Sequence, residues 1–387
     1  MPAVFTRAYS LPKGSFFLFG PRATGKTTWL HSMLPSALWI DLLRMQEVFA
    51  LTRQPDLFRS RVEALPAASW VVIDEIQRLP QLLDEVHSLI ATHPGRFRFA
   101  MLGSSARKLR RLDVNLLAGR AIRREFFPLT GREMDYDFAL AELLAFGTLP
   151  AIRTDVRDAV DILDAYASTY LREEIQQESL IRDLPSFSRF LEVAALANGQ
   201  VTSVASIARD AGVARPTVQR YFDVLVDTLI GLWVRPWKAS ARVKEVGHPK
   251  FYFFDTGVVR ALRGATREPL ERADRGPLLE TLVLHELRAH MAIAGTGGEI
   301  AYWGTPSGGE IDFIWRRGKR AVGIEVKASN RYRSEEAVTL REFLQRKLLG
   351  SAYVVYDGRD VLQDGGVTVL PVADFMRRLT RGDVIAS

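Results

Sequence analysis

Residues 15–28 read Ser15-Phe-Phe-Leu-Phe-Gly20-Pro-Arg-Ala-Thr-Gly-Lys-Thr-Thr28. An apolar, aromatic run of buried-strand type feeds a glycine-bounded loop, and Thr28, Trp29, Leu30 and Met33 predict a helix behind it. This is G-x-x-x-x-G-K-[ST] between a strand and a helix, the setting in which the pattern cradles phosphate. Gly20 and Gly25 let backbone N–H groups wrap phosphate oxygens with no Cβ in the way. Pro21, Arg22, Ala23 and Thr24 complete the loop, and Arg22 is a further candidate to touch phosphate or a neighbouring subunit. Lys26 offers a point charge to the β and γ phosphates, Thr27 a hydroxyl to Mg2+, and the helix N-terminus its positive end.

Working outward, Trp70-Val-Val-Ile73 is a second buried-strand run, and it ends in Asp74-Glu75. Asp74 is placed to hold Mg2+, directly or through water, and Glu75 to polarise the attacking water as general base. An adjacent acid pair favours ATP hydrolysis over GTP hydrolysis. A third strand over 97–102 ends in Gly103-Ser104-Ser105. Ser104 and Ser105 are candidates to sense the γ phosphate, with a helix N-cap as the alternative. A basic run follows: Arg107, Lys108, Arg110, Arg111, Arg120, Arg123 and Arg124. A solvated face is its plain reading, but Arg120 stands where a ring ATPase presents an arginine to its neighbour, stabilising charge on the transferring phosphoryl group.

The bulk numbers frame this. At 387 residues the chain exceeds one ordinary core. Zero cysteines exclude disulfides and cysteine-held zinc, and suit a reducing, cytoplasmic compartment. Residues 1–10 lack an apolar signal core, and no apolar run approaches the roughly 20 residues of a membrane helix. A net charge of +7 is compatible with nucleic acid as partner.

From about Gly131 to Asn198, apolar spacing at i, i+3 and i+4 predicts helices over 139–146, 156–170 and 187–197, a helical lid in outline. Residues 202–229 read as helix-turn-helix: a first helix over 203–210, a turn over 211–215, and a second helix opening at Pro216. Thr217, Gln219 and Arg220 are then the DNA-facing side chains, and strands over 232–237 and 251–254 the wing. The alternative is a unit that makes only protein contacts.

In the last third, a helix begins at Gly276-Pro-Leu-Leu-Glu280, with Glu280 in its first turn. Strands follow over 300–303, 310–315 and 321–327, with a turn at 306–309 and a basic turn over 316–320. Strand side chains alternate, so Glu310 and Asp312 share a face, as do Glu325 and Lys327. Glu280, Asp312 and Glu325, with the Val326 carbonyl, suit Mg2+ or Mn2+, and Lys327 could orient water or offset charge. A salt-bridged hairpin on a solvent face is the plainer reading.

Together, Gly20-Pro-Arg-Ala-Thr-Gly-Lys-Thr, Val-Val-Ile-Asp74-Glu75-Ile-Gln, Leu-Gly-Ser-Ser-Ala-Arg-Lys108 and Leu-Ala-Gly-Arg120-Ala resemble a group of prokaryotic AAA-type ATPases. So do Phe-Phe-Asp255-Thr-Gly, Leu-Leu-Glu280, Gly-Glu-Ile-Asp312-Phe and Ile-Glu325-Val-Lys327-Ala-Ser. In that group the ATPase precedes a C-terminal domain of unknown function resembling PD-(D/E)xK nucleases. The resemblance implies an α/β chain: a P-loop NTPase domain over 1–135, a helical lid over 136–198, a winged helix over 199–260, and a restriction-endonuclease-like α/β domain over 261–387. It implies ATP contacts at Gly25, Lys26 and Thr27, and nuclease-type positions at Glu280, Asp312, Glu325 and Lys327. One departure is that the strand over 97–102 lacks the Asn or Thr sensor common one step earlier. The expectation is a DNA-associated ATPase and homo-oligomer, ring-forming if Arg120 acts in trans, whose nuclease-like domain cleaves DNA with a divalent metal. Two alternatives stay open: an ATP-driven switch with a non-cleaving binding module, and a winged-helix regulator whose ATP site only sets its conformation.

Overall fold

The computed structural model describes residues 5–104, 120–170, 183–238, 247–306 and 308–385. They divide into two compact units, one taking Tyr9–Pro128 with Asp227–Leu229 and the other the remainder.

The first unit alternates strand and helix. Its elements are β1 (Phe16–Phe19), α1 (Lys26–Met33), β2 (Leu38–Asp41), α2 (Met45–Arg53), α3 (Asp56–Glu63), β3 (Ser69–Asp74), α4 (Leu82–Thr92), β4 (Phe97–Gly103) and β5 (Ile122–Glu125). The strands form one parallel sheet in the order β2-β3-β4-β1-β5. Parallel sheets are covered on both faces, so their strands run apolar without alternation. Phe17 and Phe19 face one core with Val71 and Ile73, while Phe16 and Leu18 face another with Trp29 and Val72. The register puts Phe19 beside Gly103 and Ile73 beside Met101. The C-terminal ends of β1, β3 and β4 therefore lie together at one edge, the usual place for a ligand in such sheets.

The second unit begins with helices α5 (Leu140–Phe146), α6 (Pro150–Thr154), α7 (Ala159–Ala165), α8 (Leu184–Leu196), α9 (Val204–Ala211) and α10 (Arg215–Asp227). It continues through β6 (Gly231–Pro236), β7 (Lys250–Phe253), α11 (Thr256–Leu262), α12 (Arg272–Ala294), β8 (Glu299–Gly304), β9 (Glu310–Arg317) and β10 (Arg320–Lys327). It closes with α13 (Val338–Gln345), β11 (Ser351–Tyr356), β12 (Leu362–Asp364), β13 (Val367–Pro371) and α14 (Val372–Arg381). Eight strands form one mixed sheet, β12-β13-β11-β10-β9-β8-β6-β7. The antiparallel pair β6–β7 is spliced to the later strands, because Arg235 and Pro236 pair with Ala301 and Tyr302 of β8. One apolar core runs from Leu143 through Phe187, Phe222 and Phe253 to Leu282 and Phe375. The stretches read as lid, wing and nuclease-like domain thus share a core, and the last two share a sheet.

Several local expectations shift. The helix carrying Glu280 starts at Arg272, so Glu280 lies in its third turn rather than its first. Pro277 sits inside that helix near its start, where its missing N–H removes a single backbone bond, and its carbonyl accepts the Thr281 hydroxyl at 2.8 Å. Helix α9 ends at Ala211, one residue later than expected, and Gly212 follows it in the left-handed region. The basic turn shrinks to Gly318-Lys319, because β9 and β10 extend through Arg317 and from Arg320. Among the described residues, no helix is long and apolar enough to cross a membrane.

The Asp255-Thr-Gly motif is a packing device. Asp255 accepts the Val258 N–H at 3.1 Å, capping α11, and the Thr148 N–H at 2.8 Å. A Cβ on Gly257 would meet the Phe146 carbonyl oxygen at 2.2 Å. Gly257→Ala is expected to destabilise this unit by at least about 2 kcal/mol in urea unfolding. Gly276→Ala, whose Cβ would meet nothing within 4 Å, should change stability by less than about 1 kcal/mol.

Candidate functional site

The first site is the edge where β1, β3 and β4 end. The loop after β1 turns through Ala23 and Gly25, both at positive φ, into the first turn of α1. Gly20 is held to glycine by the neighbouring strand exit. A Cβ there would meet the Phe126 carbonyl oxygen at 2.2 Å. Thr24, fully buried, donates its hydroxyl to the Pro21 carbonyl at 2.9 Å and fixes the loop. Lys26 Nζ donates to the carbonyls of Gly20 at 2.7 Å and Pro21 at 2.9 Å, so the ammonium is centred in the loop. Arg22 is half-buried, and Ala23 and Thr28 are exposed.

Thr27 donates its hydroxyl to Asp74 Oδ2 at 2.9 Å. Hydroxyl and carboxylate are side by side, hard oxygens of the kind that Mg2+ takes, and the pair fits that ion. Burial raises the Asp74 pKa, the Thr27 hydrogen bond lowers it, the Glu75 charge raises it and Lys26 lowers it, for a net upward shift. A cation at this place would favour the ionised form.

Glu75 leaves β3 with φ 55 and ψ 46, a left-handed conformation that a non-glycine residue adopts at a cost of about 1–3 kcal/mol. Strand alternation ends there, and a single turn over Ile76–Arg78 follows. The turn brings Gln77 back, so that its amide donates to Glu75 Oε2 and, at 3.4 Å, to Ser104 Oγ. Gln77 and Ser104 are buried. A Cβ on Gly103 would meet Gln77 Oε1 at 2.5 Å, which is why glycine precedes Ser104. Sequence reasoning missed Gln77; its signal was an amide two residues beyond the acid pair. Ser105, Arg107, Lys108, Arg110 and Arg111 lie outside the described residues. Arg120 is exposed and donates to His87 Nε2.

A second group gathers in the larger unit. Asp312 and Glu325 are buried, and Glu280 is partly so. Asp312 Oδ2 accepts the Val326 N–H at 2.8 Å, and Lys327 Nζ pairs with Glu325 Oε1 at 2.5 Å. Glu280 accepts the Tyr252 hydroxyl at 2.6 Å. Unforeseen in the sequence, Lys250 at the start of β7 puts its ammonium among them. It lies 2.5 Å from Glu310, 3.6 Å from Glu280 and 3.7 Å from Asp312. Among the described residues no three Asp, Glu or His side chains are placed to hold a metal ion. With the ammonium where a cation would go, the donors do not fit a divalent ion at this spot.

The electrostatics agree. Burial, then the Asp312 charge, push Glu280 up to about 7 against the pull of Lys250 and Tyr252. Burial likewise raises Asp312 and Glu325. Burial pulls Lys250 down, but Glu280, Asp312 and Glu310 outweigh it, and its pKa rises.

On α10, Arg215, Gln219 and Arg220 are exposed and Thr217 is half-buried, while Val218, Tyr221 and Phe222 face the core. Gln219 donates to Asp223 at 3.2 Å.

Against known proteins, a family described as an AAA domain matches residues 13–135. Two families described as domains of unknown function, DUF8612 and DUF4143, match residues 137–269 and 275–375. The uncharacterized protein Mb2031c of Mycobacterium bovis is 30% identical over 371 residues, covering 95% of this chain and 81% of its own. The uncharacterized protein Rv2008c of Mycobacterium tuberculosis gives the same figures. Among solved structures, a variant of RuvB from Thermotoga maritima aligns with a TM-score of 0.32 at 19% identity, over 57% of this chain and 82% of that one. Protein VC1899 from Vibrio cholerae aligns with a TM-score of 0.22 at 12% identity, over 81% of this chain and 89% of that one. At such scores neither likeness bears on the fold or role of this chain.

The bond from Gln77 to Glu75 generates a prediction. Gln77→Ala should lower nucleotide turnover roughly tenfold with KM nearly unchanged, because Glu75 loses its orienting donor while the phosphate loop is untouched. Phosphate release measured against ATP concentration checks it; unchanged kcat would remove Gln77 from the machinery.

Proposed function

The chain belongs to the family of the uncharacterized mycobacterial proteins Mb2031c and Rv2008c and carries an AAA domain at residues 13–135, and from that premise we propose that it hydrolyses ATP and couples the turnover to DNA. The observation that carries the reading is the meeting of Lys26, the Thr27–Asp74 pair and the Glu75–Gln77–Ser104 chain at one sheet edge. Lys26 exchanges its two loop carbonyls for β and γ phosphate oxygens. Glu75 takes a proton from the water that attacks the γ phosphorus, and Gln77 holds the carboxylate in place. Mg2+, held by Thr27 and Asp74, would neutralise phosphate charge when bound. The products are ADP and phosphate. Arg120, exposed, is our candidate for an arginine offered to a neighbouring subunit of a homo-oligomeric ring. The absence of cysteine supports a cytoplasmic location.

We read α9, the Gly212 turn and α10, with β6 and β7, as a winged helix. The exposed Arg215, Gln219 and Arg220 at the start of α10 support it, as does the net charge of +7. We read α12 with β8 to β11 and β13 as a PD-(D/E)xK-like domain that holds rather than cuts, because Lys250 occupies its carboxylate cluster. Metal-dependent cleavage through Asp312, Glu325 and Lys327 is the second reading. It is favoured by the placing of these three on adjacent strands, with Glu280 on the packed helix.

Lys26→Ala should abolish ATP binding, and Glu75→Gln should keep it while lowering turnover by about 10²-fold or more. Full hydrolysis by the first variant, or wild-type turnover by the second, excludes the assigned role. Duplex DNA should stimulate turnover. Arg220→Ala should weaken DNA binding and flatten the slope of log K against log salt by about 1. Salt-independent affinity, or no DNA binding by the wild type, would leave the ATPase reading alone.

A further inference from the structure

We propose that Lys250 is the resident cation of the carboxylate cluster, standing where a divalent ion would otherwise be held, so that this domain works without a metal. The inference deepens the non-cleaving reading above, with which it shares the position of Lys250.

Every element packed around the ammonium contributes a group. Glu280 comes from α12, Glu310 and Asp312 from β9, Glu325 and Lys327 from β10, Tyr252 from β7 and Tyr302 from β8. Lys250 Nζ is within 4 Å of three carboxylates, at 2.5, 3.6 and 3.7 Å. It also lies 5.4 Å from the centroid of the Tyr302 ring. The nearby Glu325 is served by a different ammonium, Lys327. Its Oε2 is buried with no hydrogen-bond partner, so Lys327 satisfies only one of its two oxygens.

The position is built in by the backbone. Lys250 pairs with Val234 across β6–β7 and bridges to Val201, while Phe251, Tyr252 and Phe253 are buried behind it. Its side chain is 5% exposed. A surface lysine gives way to an incoming ion by swinging out, whereas this side chain is buried, ion-paired and set against the Tyr302 ring. An ammonium and a divalent ion at the same carboxylates would repel at contact distance. Lysine is also a compact point charge with three donors, suited to three separate carboxylates.

The test is a Mn2+ titration of the nucleotide-free, DNA-free full chain, read by the EPR signal of free Mn2+. Wild type and Asp312→Asn should give the same curve, with no Asp312-dependent site tighter than about 1 mM. Lys250→Met should gain one Mn2+ site that the further change Asp312→Asn removes. An Asp312-dependent site in the wild type overturns the proposal, and so does a folded Lys250→Met chain that gains none. If Lys250→Met does not fold, comparing wild type with Asp312→Asn still decides. Because DNA and ATP are absent, loss of the DNA reading leaves this result standing. Plasmid cleavage with Mn2+ by the wild type sinks the non-cleaving reading separately.

Discussion

A carboxylate taken out of water must meet a positive charge or a proton, and in the larger unit one ammonium meets this demand for carboxylates on two other elements. Lys250 starts β7, Glu280 sits on α12, and Glu310 with Asp312 lie on β9. Their ion pairs tie the strand pair that follows the helix-turn-helix to the first helix and the hairpin of the C-terminal region. Lys250 and Asp312 are buried, so losing either would leave a charge uncompensated away from water. The same region is joined again by Asp255, whose two oxygens cap α11 and hold the Thr148 N–H. These buried polar contacts fix register between elements that apolar packing alone would let slide.

The smaller unit depends on a different constraint, that of a parallel sheet. With both faces covered, the central strands β1, β3 and β4 are buried over most of their length, so the reactive groups collect where those strands end. Residues after β1, β3 and β4 supply the loop, the acids and Ser104 in turn. The left-handed Glu75 is the one strained step, and it is what turns Gln77 back onto the carboxylate. A regular strand end would have sent the acid pair to opposite faces.

Much of this was legible in the sequence, and the boundary is physical. The phosphate loop and the Asp74-Glu75 pair are local: neighbours in sequence, held by glycine and strand ends. So too was the β10 alternation that puts Glu325 beside Lys327, though Val326 meets Asp312 through its N–H rather than offering its carbonyl to a metal. Lys250 was not legible, because its meaning lies in partners thirty to sixty-two residues later, and a single lysine before aromatic residues gives no periodic signal. The splice of β6 to β8 was hidden for the same reason: only Arg235 and Pro236 make it. Gly276-Pro277 misled the reading of α12, since proline favours a helix start but is tolerated in an early turn, where one missing N–H matters little.

The charge balance of the cluster bears on what the domain can do with DNA. Four carboxylates, Glu280, Glu310, Asp312 and Glu325, face two ammoniums, Lys250 and Lys327. Burial raises the pKa of Glu280, Asp312 and Glu325, which favours their neutral forms. Bare, such a group would repel a phosphodiester; neutralised from within, it does not. The far end of the same hairpin carries Arg316, Arg317, Lys319 and Arg320, which favour an anionic backbone. A cutting site needs a cation that binds both water and the scissile phosphate, whereas the Lys250 ammonium is committed by charge to Glu310, Glu280 and Asp312. The arrangement therefore suits holding a polyanion more than hydrolysing it.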